Sequence, residues 1–213
     1  MKFNYDFSKG TIKHLIEKEF YTLASVALPK LFSATVVTGP DYQRHVDNVK
    51  NILKCKSFRI CEIDLDIFID IYKGLKQFPL IRVENKSIEQ YGSLFIDCDL
   101  TCISDIETIQ NTLLKQISVQ STSRNFKIFI FSFSLRSQKT KSLEQYIRPI
   151  FGLLGSHVTY TINNFDNVFN TKGTGNYCNS IKINKTLGRI KNYKLYSYNA
   201  GGGPMITCYI EYK

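Results

Sequence analysis

The chain has 213 residues, 43% hydrophobic and 13% aromatic, a composition typical of one globular domain. No apolar run approaches the roughly 18 residues that a membrane span requires, so we expect a soluble protein. The formal net charge of +10 favours a polyanionic partner, because Lys and Arg near phosphates release condensed counterions.

The N-terminal residues and the cysteines indicate the cellular compartment of the protein. Residues 1–8 lack the apolar core of a secretory signal and the Arg-rich character of a mitochondrial presequence, which favours a cytoplasmic or nuclear protein. The six cysteines form no CxxC pair, and Cys61, Cys98 and Cys208 lie inside apolar runs. We therefore predict reduced core thiols, not disulfides or zinc ligands.

Apolar runs and helical patterns alternate along most of the chain. After a first helix over 11–27, strands are predicted over 34–38, 58–63, 93–97, 126–133 and 158–162. Helices are predicted between them over 42–53, 67–75, 104–114 and 142–154, with Ser104 and Glu107 as a capping box, and the polar stretch 118–125 is predicted to be a loop. This alternation is the pattern of a parallel sheet with crossover helices.

The alternation of strands and helices ends after residue 163. Strands over 180–183, 194–198 and 205–212 follow with no long helical pattern between them, which predicts an antiparallel extension of the sheet. The domain organisation is then a helical N-terminal segment, residues 1–30, and a core over 31–213. The run 126–133 is apolar on both faces, so we place it as a central strand.

Five β/α units followed by a β-rich tail resemble the ATPase core of RecA-type recombinases over residues 32–213. The resemblance is clearest over 126–163, where a hydrophobic strand, a basic loop, a helix ending in Leu153-Leu154-Gly155 and a strand follow the family's order. It implies a RecA-like three-layer α/β fold, with a mainly parallel sheet, helices on both faces and an antiparallel C-terminal extension.

The residues that hold a metal and a nucleotide in that family are missing here. The turn after the first strand, residues 37–45, has no GK[ST] motif, and Asp41 and Tyr42 stand where a phosphate nest needs glycine. The strand over 128–133 ends in Ser132 or Ser134, where the family has a magnesium-binding Asp. We therefore expect no cofactor, no metal and no enzymatic activity.

Other charged residues near these strands are interpreted as ordinary surface or core groups. Asp97 and Asp99 fall near the family's catalytic glutamate, and we interpret them as a solvated pair at a strand end. Arg44 is predicted to be an exposed charge on the first turn of a helix. His14, His45 and His157 have no carboxylate or cysteine at ligand spacing, which favours surface or core roles over catalysis.

Departures of this kind recur in small non-catalytic recombinase paralogues such as the RecA-like subunits of the yeast Shu complex. The resemblance implies a nuclear subunit that binds single-stranded or forked DNA and assists recombinase filament assembly in homologous-recombination repair. Its partners would be another RecA-like paralogue and the main recombinase. Two alternatives stay open: a structural subunit of a hexameric ring such as Elongator, binding RNA or protein, and an enzyme with an unrecognised site.

Three basic segments are the candidate DNA contacts. The resemblance places the loops after the fourth and fifth strands at the DNA, and these carry Arg136, Lys139 and Lys141 in the first and Lys172 in the second. A further cluster lies beside tyrosines that could stack on bases and consists of Lys182, Lys185, Arg189 and Lys191. An equally favoured alternative is that these residues face solvent on a β-hairpin, where lysines prevent the edge strand from pairing with another chain.

Overall fold

A computed structural model describes residues 12–86, 93–101, 103, 105–122, 127–134, 178–180, 190–199 and 204–213. The predicted helix over 142–154 and strand over 158–162 lie outside these residues. Within them, one sheet is covered by helices on both faces, so the predicted three-layer α/β architecture is confirmed. No helix in these ranges is both long enough and apolar enough to cross a membrane.

The described elements follow the predicted alternation. The helices are α1 Ile12–Ala27, α2 Tyr42–Asp47, α3 Leu65–Leu75 and α4 Ile106–Thr122. A 3-10 turn, Gly39–Asp41, leads into α2, and a π-helical turn, Asn48–Ile52, continues it. The strands are β1 Ala34–Val37, β2 Phe58–Cys61, β3 Ile81–Glu84, β4 Phe95–Leu100, β5 Ile128–Ser134, β6 Cys178–Ser180, β7 Ile190–Asn199 and β8 Pro204–Tyr212.

The sheet has the strand order β3-β2-β1-β4-β5-β8-β7-β6. Strands β1 to β5 are parallel to one another, β8 runs antiparallel to β5, and β7 and β6 follow as antiparallel neighbours. The central position of β5 and the antiparallel extension are therefore confirmed. Because β1 lies between β2 and β4, the winding of the chain reverses there, as it does at the switch point of a Rossmann-like sheet.

Two local predictions are wrong, and a third concerns a residue outside the described part of the chain. Strand β3 was missed, because two of its four residues, Arg82 and Glu84, are charged and only Ile81 is buried. Helix α4 extends to Thr122 through part of the stretch predicted to be a loop. At its start the Asp105 carboxylate accepts a hydrogen bond from the Thr108 N–H at 2.9 Å, the geometry of an N-cap, whereas Ser104 lies outside the described residues.

The two faces of β5 pack against different helices, which explains its continuous apolar run. Phe129, Phe131 and Phe133 join the cluster under α4, while Ile128 and Ile130 join the cluster under α1, α2 and α3. Four cysteines are buried free thiols, as predicted: Cys55, Cys61, Cys98 and Cys208. Both clusters fix the strands rigidly, so the loops that leave their carboxyl ends start from defined positions.

Candidate active site

The loops after β1, β2 and β4 lie at the carboxyl edge of the sheet, on either side of the switch point between β1 and β4. In open α/β sheets, ligands bind in the crevice outside the carboxyl ends of the strands at such a point. Two groups of residues define this edge: a turn beside the end of β2, and a buried network of charges on β4.

The turn after β1 is made by Gly39, which is buried and has a φ of 58°. This left-handed conformation favours glycine, because a Cβ would crowd the backbone. Glu62 follows β2 directly, is 6% exposed and accepts a hydrogen bond from the Asp64 N–H at 2.9 Å. The backbone N–H groups of Asp64, Ile63 and Gly39 face its carboxylate, which places the β1 turn beside the end of β2. Burial raises the pKa of Glu62, and this effect outweighs that of the N–H groups, which lower the pKa.

The charge network is centred on Asp99, near the end of β4. Its Oδ2 atom accepts a hydrogen bond from Lys13 Nζ at 2.6 Å and lies 3.3 Å from His45 Nε2. Its Oδ1 atom accepts from the Thr101 hydroxyl at 2.6 Å and from Ser132 Oγ at 3.3 Å. Burial alone would raise the pKa of Asp99, but the charge of Lys13 and the bond with His45 hold it well below its usual value.

His45 connects Asp99 to a second buried carboxylate. Its Nδ1 atom lies 2.9 Å from Asp97 Oδ2, which also accepts the Tyr21 hydroxyl at 2.6 Å. Burial by itself would lower the pKa of His45, but the charge of Asp97 and hydrogen bonds to Asp97 and Asp99 raise it to about 10. At neutral pH the ring is therefore an imidazolium that donates both N–H groups.

Arg44 joins the network to the Gly39 turn. Its Nη2 atom donates to Glu17 Oε1 at 3.1 Å, its Nε lies 2.7 Å from Glu17 Oε2 in an ion pair without hydrogen-bond alignment, and its Nη1 lies 2.7 Å from Asp41 Oδ2. Burial raises the pKa of Glu17, partly offset by the charges of Arg44 and Lys13. The guanidinium thus fastens α1 and the start of α2 to one another.

These contacts correct two interpretations and weigh against a metal. Asp97 and Asp99 are 2% and 5% exposed, not a solvated pair, and the Arg44 side chain is buried in ion pairs, not exposed.

Glu17, His45 and Asp99 place three possible ligand atoms within 4.8 Å of one another. Lys13 and Arg44 already neutralise those carboxylates, and the imidazolium has no free lone pair, so the residues do not fit a metal ion.

Only one of the eight predicted DNA-contacting residues lies in the described part of the chain. Lys191 is exposed on β7, and its Nζ lies 2.7 Å from Glu211 Oε1. The neighbouring Lys194 pairs with Glu19 of α1. The remaining seven fall outside the described residues: Arg136, Lys139, Lys141, Lys172, Lys182, Lys185 and Arg189. DNA contact at these positions stays a prediction.

No protein-family model and no curated protein matches the sequence. Solved structures do match. The METTL16 MTase domain aligns with a TM-score of 0.55 at 9% identity, covering 95% of this chain and 67% of its own. A ribosomal protein L11 methylase from Lactobacillus delbrueckii subsp. bulgaricus gives 0.51 at 13% identity, covering 96% and 81%. The N-methyltransferase NodS from Bradyrhizobium japonicum WM9, solved with S-adenosyl-L-homocysteine, gives 0.50 at 8%, covering 94% and 85%.

The chain has the Rossmann-like fold of these methyltransferases. The resemblance to RecA-type recombinases and to Shu-complex subunits was therefore wrong. Both folds alternate strands and helices along the chain. Two findings favour the Rossmann-like fold over the RecA-like fold: β1 lies between β2 and β4, and the structural neighbours are methyltransferases.

The functions inferred from that resemblance are overturned with it. The neighbours contradict a non-catalytic recombinase paralogue in DNA repair and also an Elongator-type ring subunit. They equally contradict the expectation of no enzymatic activity, because the proteins that share this fold are methyltransferases. A missing P-loop indicated a lost activity only as long as the fold was taken for that of an ATPase.

Proposed function

We propose that the chain binds S-adenosylmethionine at the carboxyl edge of β1 and β2 and transfers its methyl group to an acceptor. The observation that carries the proposal is the position of the buried Gly39 turn directly after β1 and of the Glu62 carboxylate directly after β2, beside the switch point of this Rossmann-like sheet. The bound product in NodS, S-adenosyl-L-homocysteine, is the demethylated form of this cofactor.

Glu62 is suited to the ribose of such a cofactor. In Rossmann-like nucleoside sites an acidic residue about 20 residues beyond the glycine turn accepts hydrogen bonds from the ribose hydroxyls. Glu62 stands 23 residues after Gly39 and directly follows β2. A carboxylate has about four acceptor positions, so its backbone contacts leave capacity for a hydroxyl. The neighbouring Ile63, 66% exposed, offers an apolar surface for the adenine ring.

The charges of the edge suit a cation better than a phosphate. S-adenosylmethionine carries a positively charged sulfonium and no phosphate, so it requires neither a P-loop lysine nor a glycine nest. The four carboxylates of the network, Glu17, Asp41, Asp97 and Asp99, face three cations, Lys13, Arg44 and His45. This balance repels a triphosphate and favours a cationic ligand.

The cofactor, when bound, supplies an electrophilic methyl group. An acceptor lone pair would take that methyl group, with S-adenosyl-L-homocysteine as the leaving group and the acceptor's proton passing to solvent. The chain's own residues position the cofactor. Glu62 holds the ribose, while the Asp99 network keeps α1 and α2 fixed against β4. Such fixed geometry supplies much of the rate in transfer reactions.

We propose a nucleic acid as the acceptor. What supports it is the net charge of +10, together with the basic segments at 136–141 and 182–189. Lys191 is exposed but pairs with the buried Glu211 carboxylate, so this one lysine is not among the groups that support the acceptor.

Isothermal titration calorimetry with S-adenosylmethionine and S-adenosyl-L-homocysteine tests the cofactor site. We expect binding by the wild type and a loss of about tenfold or more in Glu62→Ala, because two hydrogen bonds contribute roughly 1–3 kcal/mol. Glu84→Ala, which removes a partly buried carboxylate at the end of β3, is the matched control. No binding by the wild type, or equal affinity in both variants, would overturn the proposal.

Transfer of tritium from methyl-labelled cofactor to separated RNA, DNA and protein pools tests the acceptor. Label in either nucleic acid supports the acceptor proposed. Label in protein alone contradicts the acceptor but leaves the methyltransferase standing.

A further inference from the structure

A cavity of about 360 Å³ lies at the opposite edge of the sheet, at the amino ends of β1 and β2. It is enclosed by the end of α1, the turn before β1 and the π-helical turn that continues α2. Its apolar walls are Leu28, Phe32, Ile52 and Leu53. This volume falls within the range of pockets that hold small molecules, and the distance from the carboxyl edge separates it from the proposed cofactor site.

Ser25, Pro29 and two lysines, Lys30 and Lys54, complete the lining, and no acidic residue shares it. Both side chains are exposed, and within the described residues neither has an ion-pair partner. The pocket is half open and its accessible lining is polar and apolar in nearly equal parts. Apolar side chains beside two uncompensated cations attract an anion that carries an apolar group, since each part of such a ligand meets its complement.

The backbone at Lys54 is strained. Its φ of 58° is left-handed, which costs a residue with a side chain roughly 1–2 kcal/mol relative to glycine. It directly follows the π-helical turn, where the Leu53 N–H donates to Asn48 O and the Cys55 N–H to Val49 O. Both π-helical turns and strained residues cluster at ligand sites. A glycine would relieve the strain but would remove the cation from the cavity.

We propose that this cavity binds an amphipathic anion, an alkyl chain of about eight to ten carbons with a carboxylate or phosphate head. The chain lies against Leu28, Phe32, Ile52 and Leu53, and the head pairs with Lys30 and Lys54. Because the cavity opens at the amino edge, the ligand does not compete with a cofactor at the carboxyl edge.

Chemical-shift titration of ¹⁵N-labelled protein tests this, with decanoate, decyl phosphate and neutral decanol, each below its micelle concentration. We expect shifts confined to residues 25–32 and 52–54, and decanol binding at least tenfold more weakly than the better anion. Octanoate should bind about fifteenfold more weakly than decanoate, since each methylene contributes about 0.8 kcal/mol. The tighter of the two anions identifies the head group. Scattered shifts, or decanol binding as well as both anions, would refute the site.

Lys54→Gly tests whether the Lys54 charge contributes to anion binding without destabilising the fold. It should weaken anion binding about threefold or more while raising the unfolding temperature, because the strain is released as the cation is lost. Lys76→Ala, which removes an exposed lysine after α3, is the control and should leave affinity unchanged. Equal anion affinity in the two variants would contradict the role given to Lys54.

Discussion

The buried imidazolium of His45 makes folding stability depend on alkaline pH. The folded-state pKa of His45 is about 10 against an ordinary 6.5, because Asp97 and Asp99 hold the charged ring despite its burial. A raised pKa means that the folded protein keeps a proton which the unfolded chain releases above pH 6.5. The stabilisation is therefore complete below pH 6.5 and is lost as pH rises through 10.

The size of the effect follows from the same two values. The difference between 6.5 and about 10 corresponds to roughly 5 kcal/mol of free energy of unfolding. His45 is fully buried, so solvent does not screen this interaction appreciably. An amount of this size is a large part of the 5–15 kcal/mol that stabilises an ordinary domain.

Urea denaturation at pH 6.5, 8 and 9.5 measures it, comparing the wild type with His45→Gln. The variant keeps a hydrogen-bond donor but cannot titrate, so its deficit should be about 3–5 kcal/mol at pH 6.5 and should shrink steadily toward pH 10. His14→Gln, the same change at a half-buried site on α1, should differ from the wild type by about 0.5 kcal/mol or less at each pH. A deficit for His45→Gln that stays constant with pH would refute the imidazolium.

Three further substitutions test other contacts by urea denaturation. Asp99→Asn removes the nearer of the two buried carboxylates beside Lys13 and one of the two beside His45, so it should cost about 3–5 kcal/mol, whereas a loss under 1 kcal/mol would contradict the network. Asp64→Ala removes the N-cap of α3, which accepts from the N–H groups of Asp66 and Ile67, and should cost about 1 kcal/mol. Gly74→Ala should destabilise, because its Cβ would collide with the Tyr42 hydroxyl, but should stabilise by up to about 1 kcal/mol in a Tyr42→Ala background.

Local patterns predicted most of the elements but not the order of the strands. The period of α1, the largely apolar β5 and the alternating β8 depend on neighbours in sequence, and the structure has each within a few residues of its predicted bounds. Strand order depends on which distant strands pair. The pairing of β1 with both β2 and β4 leaves no trace in the sequence of either, so a RecA-like and a Rossmann-like sheet fit the same alternation.

The two parts of the candidate site differ in how far the sequence could reveal them. Gly39 after the first strand and Glu62 directly after the second form a spacing that can be found without a structure. The P-loop pattern of an ATPase does not include this spacing, because it requires a lysine at the phosphates. The Asp99 network could not be found this way, because Lys13 and His45 lie 86 and 54 residues from Asp99 along the chain.

The charges of this protein are divided in a way that fits the two ligands proposed for it. The chain has 18 acidic residues and a net charge of +10, yet the carboxyl edge gathers seven of the acids: Glu17, Asp41, Glu62, Asp64, Asp97, Asp99 and Asp105. A polyanion would be repelled from these groups and must be held by basic residues elsewhere on the chain. Lys13, Arg44 and His45 offset three of these charges, and the negative charge that remains would attract a sulfonium cofactor. Separate sites of opposite charge allow a cationic donor and an anionic acceptor to bind together without competing for the same side chains.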